Sequence, residues 1–238
     1  MLSLGSGHIE TSARSYLFGN YFTGKGEWYY YPCVILFKTP LGIGFSLGLL
    51  GWLLIRRRIA NVYGIVYPLA LAFFFVAMVM WLNTSQHSIR HLLMIYPLMY
   101  ISFGALISTT FRGKKYYVGS MLLYSMISFY YYFPNLVSYT NELLWNKTNV
   151  YKTIASSNID YGQCYLFAEK YLRHNRDIQW APLHPAAGKF IIGINAYLDL
   201  AGSGDYAWLR NFKPATEVDH CYLLFIVTEE ALSAKGLK

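Results

Sequence analysis

Four long apolar stretches constrain this chain more than any other feature. They cover residues 30–55 ("YYPCVILFKTPLGIGFSLGLLGWLLI"), 62–82, 91–110 and 116–133. Each has about the length that a helix needs to cross a bilayer, roughly 20 residues. A soluble bundle would have to bury all four, which a chain of 238 residues has little else to do with. The sequence therefore predicts an α-helical membrane protein in which four transmembrane helices, over 30–133, are followed by a small α/β extracytoplasmic domain over 134–238. A polar extracytoplasmic segment over 1–29 precedes them.

Charge sorts the same way. Only 13% of residues are charged, about half of what a soluble domain carries. Residues 1–134 hold ten Lys and Arg against Glu10 and Glu27, whereas residues 135–238 hold ten of each sign. The formal +8 thus belongs wholly to the apolar part, a pattern of basic membrane loops and not of a nucleic-acid-binding face. "RRRIAN" and "FRGKK" are the basic connections, and "NTSQHSIR" carries a single arginine. The positive-inside rule then sets both termini on the extracytoplasmic side of an inner membrane. Cys33, Cys164 and Cys221 have no metal spacing; an extracytoplasmic domain would permit Cys164 and Cys221 to pair, since disulfides persist there, but the sequence leaves their pairing open.

After residue 134 the patterning changes. "YGQCYLFAEKYLRHN" places Cys164, Phe167, Ala168, Tyr171 and Leu172 at helical spacing. "GKFIIGINAYLDL" and "HCYLLFIVTEE" are short apolar runs that predict strands, and "AGSGDYAW" predicts a loop.

Few side chains stand out against this background. Arg90 and His91 open the third apolar run. Arg90 is either an interfacial anchor or a phosphate ligand, since guanidinium offers phosphate a planar donor fork. Lys38 interrupts the first run beside Pro40: it marks an interfacial start to the helix, or it is a second cation for the same phosphate. His87 and His91 share a helical face, but no third ligand is near in sequence, and no metal or other cofactor is expected. Asp160 is either a lone carboxylate at a site or the start of an Asx turn before Gly162. No Ser/His/Asp order, phosphate-binding glycine loop or dinucleotide fingerprint is present.

Read as whole stretches, "SYLFGNYFTGKGEWYYYPCVILFKTPLGI", "SIRHLLMIYPL", "SYTNEL", "SSNIDYGQ" and "GKFIIGINAYLDL…YAWLRNFKP" follow one another. Together they resemble the C-terminal half of bacterial membrane glycosyltransferases of family 39 type, relatives of the protein O-mannosyltransferases and the lipid A aminoarabinose transferases. The resemblance runs from about Arg14 to Val227. It implies sugar transfer on the extracytoplasmic face, from a polyprenyl-phosphate sugar donor held in membrane lipid. Arg90, His91 and Lys38 would then engage the phosphate. Asn141, Asn158, Asp160 and Gln163 would order the outer domain near the acceptor. That family's catalytic acidic loop lies in an earlier region with no counterpart here, which implies either an internal start in a fragmentary gene or completion by a separate N-terminal chain. Tyr161 and Thr140 stand where the family has Trp and Phe. The alternative is a non-catalytic membrane subunit whose outer domain binds a partner.

Overall fold

The computed structural model describes residues 14–22, 26–59, 62–82, 86, 88–108 and 113–237. His87, Glu10 and the "NTS" stretch lie outside the described residues. Contacts divide the chain into two compact units. One covers residues 26–147; the other combines the stretch up to residue 25 with residues 148–238.

The first unit is helical. Helix α1 (Tyr30–Lys38) stops because Pro40 forces the residue before it out of helical geometry. Thr39 accordingly adopts φ −91°, ψ 130°. Pro40 then sits just ahead of helix α2 (Leu41–Ile55), where its missing N–H costs nothing. The two helices meet at 103°. Helix α3 (Tyr63–Leu82) packs along helix α4 (Ile95–Ser108). Ser102 fastens them by donating to Ile65 O at 3.3 Å. Leu50, Leu53, Ile59, Ile65 and Leu106 form the shared core. Helix α5 (Lys114–Tyr132) lies close against α2, because a Cβ on Gly42 would stand 2.8 Å from Met121 Sδ.

The expected four-span domain is not what this unit builds. Among the described residues only α3, 20 residues long, has the length and apolar character of a membrane span. A second is counted only if the bent α1–α2 pair is taken as one span. Helix α4 reaches 14 residues, about 21 Å against a hydrocarbon core of about 30 Å. Its start is delayed because Ser88 caps a 3-10 turn over Ile89–Leu92, with the Arg90 N–H donating to Ser88 Oγ. Helix α5 is long enough, but Lys114, Lys115, six tyrosines and three serines dilute its apolar content. The protein is mixed α/β, with one or two candidate spans. Large side chains nevertheless remain uncovered on α3, among them Tyr67, Phe73, Phe74 and Trp81.

The second unit is built on a four-stranded sheet in the order β3-β4-β6-β5. Strand β3 (Ile178–Trp180) pairs parallel with β4 (Gly188–Gly193). Strands β5 (Thr216–Val218) and β6 (Tyr222–Val227) complete it antiparallel. Phe190, Ile191 and Ile192 are consecutive and all buried, as a strand covered on both faces requires. Helix α6 (Tyr165–His174) turns Ala168 inward onto Ile178, Ile191, Val218 and Leu224. It ends where the Asn175 side chain donates to Tyr171 O at 2.9 Å. "INAY" leaves the strand register after Gly193 and forms the short helix α7 (Ile194–Tyr197), so the strand expected over "GKFIIGINAYLDL" ends earlier than its apolar run. The unit also contains the hairpin of β1 (Ser15–Leu17) and β2 (Asn20–Phe22), bridged through Leu17 to Ile154. Helix α8 (Glu229–Ala234) follows β6, capped by Thr228. Cys164 and Cys221 are joined in a disulfide at the core of the unit, with Cα atoms 6.3 Å apart.

Candidate functional site

The corner between α1 and α2 gathers a cluster of polar side chains. Ending a helix leaves carbonyls without intrahelical donors, and here a second chain segment supplies them. The Asn141 amide donates to Leu36 O at 2.5 Å and Thr39 O at 2.8 Å, and its backbone N–H donates to Phe37 O at 2.9 Å. Asn141 is fully buried in doing so. Lys38 is buried too, and its ammonium donates to Val137 O at 2.6 Å. Its place in the last turn of α1 sets the positive charge at the negative end of the helix dipole. Thr39 Oγ1 and Tyr96 Oη lie 2.9 Å apart and tie the corner to α4.

A second cation comes from the same segment. Lys147 Nζ donates to Thr140 O at 2.9 Å and Asn141 O at 3.0 Å, and stands 5.6 Å from the Tyr132 ring centre. Burial, and then the charge of Lys147, pulls the Lys38 ammonium well below its ordinary value, to about 7. Beside them Tyr124 donates its hydroxyl to the exposed Glu142 carboxylate, at 2.8 Å and 3.0 Å from the two oxygens. Leu41 N–H donates to Tyr124 Oη at 3.2 Å, which binds this pair to the first turn of α2. Tyr139 lies 3.3 Å from the Tyr124 hydroxyl. Burial, and then the bond to Tyr124, pushes the Tyr139 hydroxyl far above its ordinary value, so it stays protonated.

From this corner an apolar groove of about 320 Å³ runs between α2, α4 and α5. Pro40 and Tyr124 line it at the polar corner, Ile43, Phe103 and Met121 along its length, and Lys114 at the start of α5. Among its described lining residues Lys114 is the charged one, while Lys38 and Lys147 belong to the corner beside it.

No family model, curated protein or solved structure matches this chain.

Of the residues singled out in the sequence, the structure brings Lys38 and Asn141 together at the corner. Arg90 and His91 lie exposed on the separate 3-10 turn, which packs against α1 and α3. Asn158, Asp160 and Gln163 belong to the sheet unit and fold into one turn ahead of α6. Asp160 Oδ1 accepts from Gly162 N at 2.8 Å, the Asx turn, with Gly162 at φ +94°. The Gln163 amide donates to Ile159 O at 3.0 Å and accepts from Tyr161 N at 2.7 Å. Asn158 is fully buried and donates to Ala155 O at 3.5 Å. The side-chain atoms of Asp160, Cys164 and Cys221 lie within 4.8 Å of one another. With the two sulfurs bonded to each other, the trio offers no thiolate to a metal.

Sequence reasoning passed over Tyr96, Tyr124, Tyr139, Glu142 and Lys147. The only signal was the dipeptide Asn141-Glu142 inside "SYTNEL". Nothing in the sequence around Lys147 marks it as a partner of Lys38.

Proposed function

We propose that this chain binds a polyprenyl-phosphate sugar at the α1–α2 corner and serves a glycosyltransferase on the extracytoplasmic face of a membrane. One observation carries the reading: the groove between α2, α4 and α5 reaches Pro40 and Tyr124 at the corner where Lys38 and Lys147 bond to carbonyls of the segment 137–141. The prenyl chain fills the groove and the phosphate meets the ammonium groups. Cations so placed stabilise charge on a departing phosphate. Glu142, held by Tyr124, is an acceptor for sugar hydroxyls. In this reading α3 crosses the membrane, and its uncovered aromatic side chains face lipid. The Cys164–Cys221 disulfide supports an oxidising compartment for the sheet unit.

A diazirine-bearing polyprenyl phosphate tests this in nanodiscs. Crosslinks are expected at Tyr100, Phe103 and Met121, and excess unlabelled polyprenyl phosphate should suppress them. Labelling confined to the outer face of α3 would mean bulk lipid contact and would overturn the reading. The second reading, a non-catalytic subunit, is favoured by the same uncovered face of α3, which partner helices would cover as well as lipid does.

A further inference from the structure

The sheet unit contains a cavity of its own, about 360 Å³, lined by Asp160, Trp180, Tyr206, Tyr222, Asn195 and the backbone around Gly193. Three aromatic side chains share its walls with the aliphatic Ala181, Ile191, Ile192 and Ala196. Trp180 stacks on Tyr165 with planes 5° apart and centres 5.9 Å apart, and packs at a tilt against Tyr222 at 5.8 Å. That stacking occupies one face of the indole. Trp180 is nonetheless 41% exposed.

Among the described residues that line the cavity, Asp160 is the one with a charged side chain. Bonds from Gly162 and Asn195 hold it, and a further bond braces that Asn195. Gly162 N–H donates to its Oδ1, Asn195 Nδ2 donates to its backbone carbonyl at 3.0 Å, and Asn195 Oδ1 in turn accepts from Ser156 N at 2.9 Å. The adjoining disulfide fixes the turn behind it. Asp160 thus lines the cavity from a braced turn, its carboxylate also accepting from the backbone N–H groups of Gly162 and Cys164. Burial pushes the Asp160 carboxyl above the usual range, and its charge adds to the burial that holds the Tyr222 hydroxyl protonated. A partly desolvated carboxylate among aromatic rings favours a cation, which gains both the charge and the ring faces. A neutral polyol would desolvate the carboxylate further without compensating its charge.

We infer that this cavity is a binding site for a small organic ammonium group, with Asp160 as counter-ion and Trp180, Tyr206 and Tyr222 as the aromatic wall. Primary and quaternary ammonium compounds share the required chemistry, and the volume admits a ligand of several heavy atoms.

The test uses the full chain in nanodiscs and three probes: choline, its uncharged isostere 3,3-dimethylbutan-1-ol, and glucose. Saturation-transfer NMR and calorimetry read the binding. Choline is expected to bind about tenfold or more tightly than the isostere, a difference that a cation among aromatic rings with a counter-ion supplies. Asp160→Asn keeps an oxygen for Gly162 N–H and should weaken choline by about the same factor, while leaving the isostere unaffected. Trp180→Leu should weaken both. Thermal unfolding of each variant checks that the sheet unit still folds, and either variant alone suffices for the comparison. Equal binding of choline and the isostere, or glucose binding in preference to choline, would overturn the assignment. So would choline binding that survives both substitutions, and so would no binding of choline to the wild-type chain.

Discussion

Asn141 shows what one side chain does at the corner. Its two amide donations and its backbone N–H satisfy three carbonyls at the end of α1. Leaving a buried acceptor unsatisfied costs about 1–3 kcal/mol. Asn141→Leu should therefore lower stability by about 3 kcal/mol, read by chemical unfolding in detergent, and a loss under about 1 kcal/mol would mean that water replaces the amide. Asp160 makes a pH-dependent contribution of known sign. Burial raises its carboxyl in the folded chain, so the folded state binds the proton more tightly than the unfolded state. Its stability is then greatest at low pH and falls as pH rises from the ordinary aspartate value, about 3.9, through the raised folded value. Asp160→Asn, which retains the turn, is expected to melt above wild type at pH 7 and to lose that advantage below about pH 4. A difference independent of pH would remove burial of the charge as the cause. Arg90 is exposed on its own turn, so Arg90→Lys is expected to change lipid-phosphate affinity by less than about twofold, as for a snorkelling cation.

At the scale of elements, periodicity in the sequence located helix α6 and strands β4 and β6, because each has one strongly apolar face or run that the sheet core covers. It failed where apolar length alone was counted. Lys38-Thr39-Pro40 reads as a blemish in a 26-residue run, yet Pro40 fixes Thr39 in extended geometry and turns the chain through 103°. Ser88 and the turn at Ile89–Leu92 shorten the third run in the same way. Tyrosines kept the fourth run from being apolar enough. Of the site, Lys38 and Asn141 were legible as oddities, but their meeting was not, since it depends on a segment about 100 residues away folding back onto α1. The disulfide joins the α6 turn to the sheet across 57 residues. A loop of that length is expected to lose about 4 kcal/mol on reduction in the chain-entropy picture. Hydrogen exchange with and without reductant checks this: protection should fall through β4, β6 and α6 and remain unchanged in α3 and α4. Equal loss in both units would contradict the division of the chain.

For the whole molecule, the central claim is that the helical unit holds a lipid phosphate at the α1–α2 corner. Lys147 is the better probe, because it is only partly buried and approaches the corner from a loop, so removing its charge need not disturb α1. The direct measurement is the affinity of polyprenyl phosphate for wild type, Lys147→Gln and Lys38→Met in nanodiscs of neutral lipid. Charged hydrogen bonds contribute about 1.5–3 kcal/mol, so each substitution should weaken binding about tenfold or more, with polyprenol lacking the phosphate bound equally by all three. Unchanged phosphate affinity in Lys147→Gln and Lys38→Met, with both variants folded, would contradict the account.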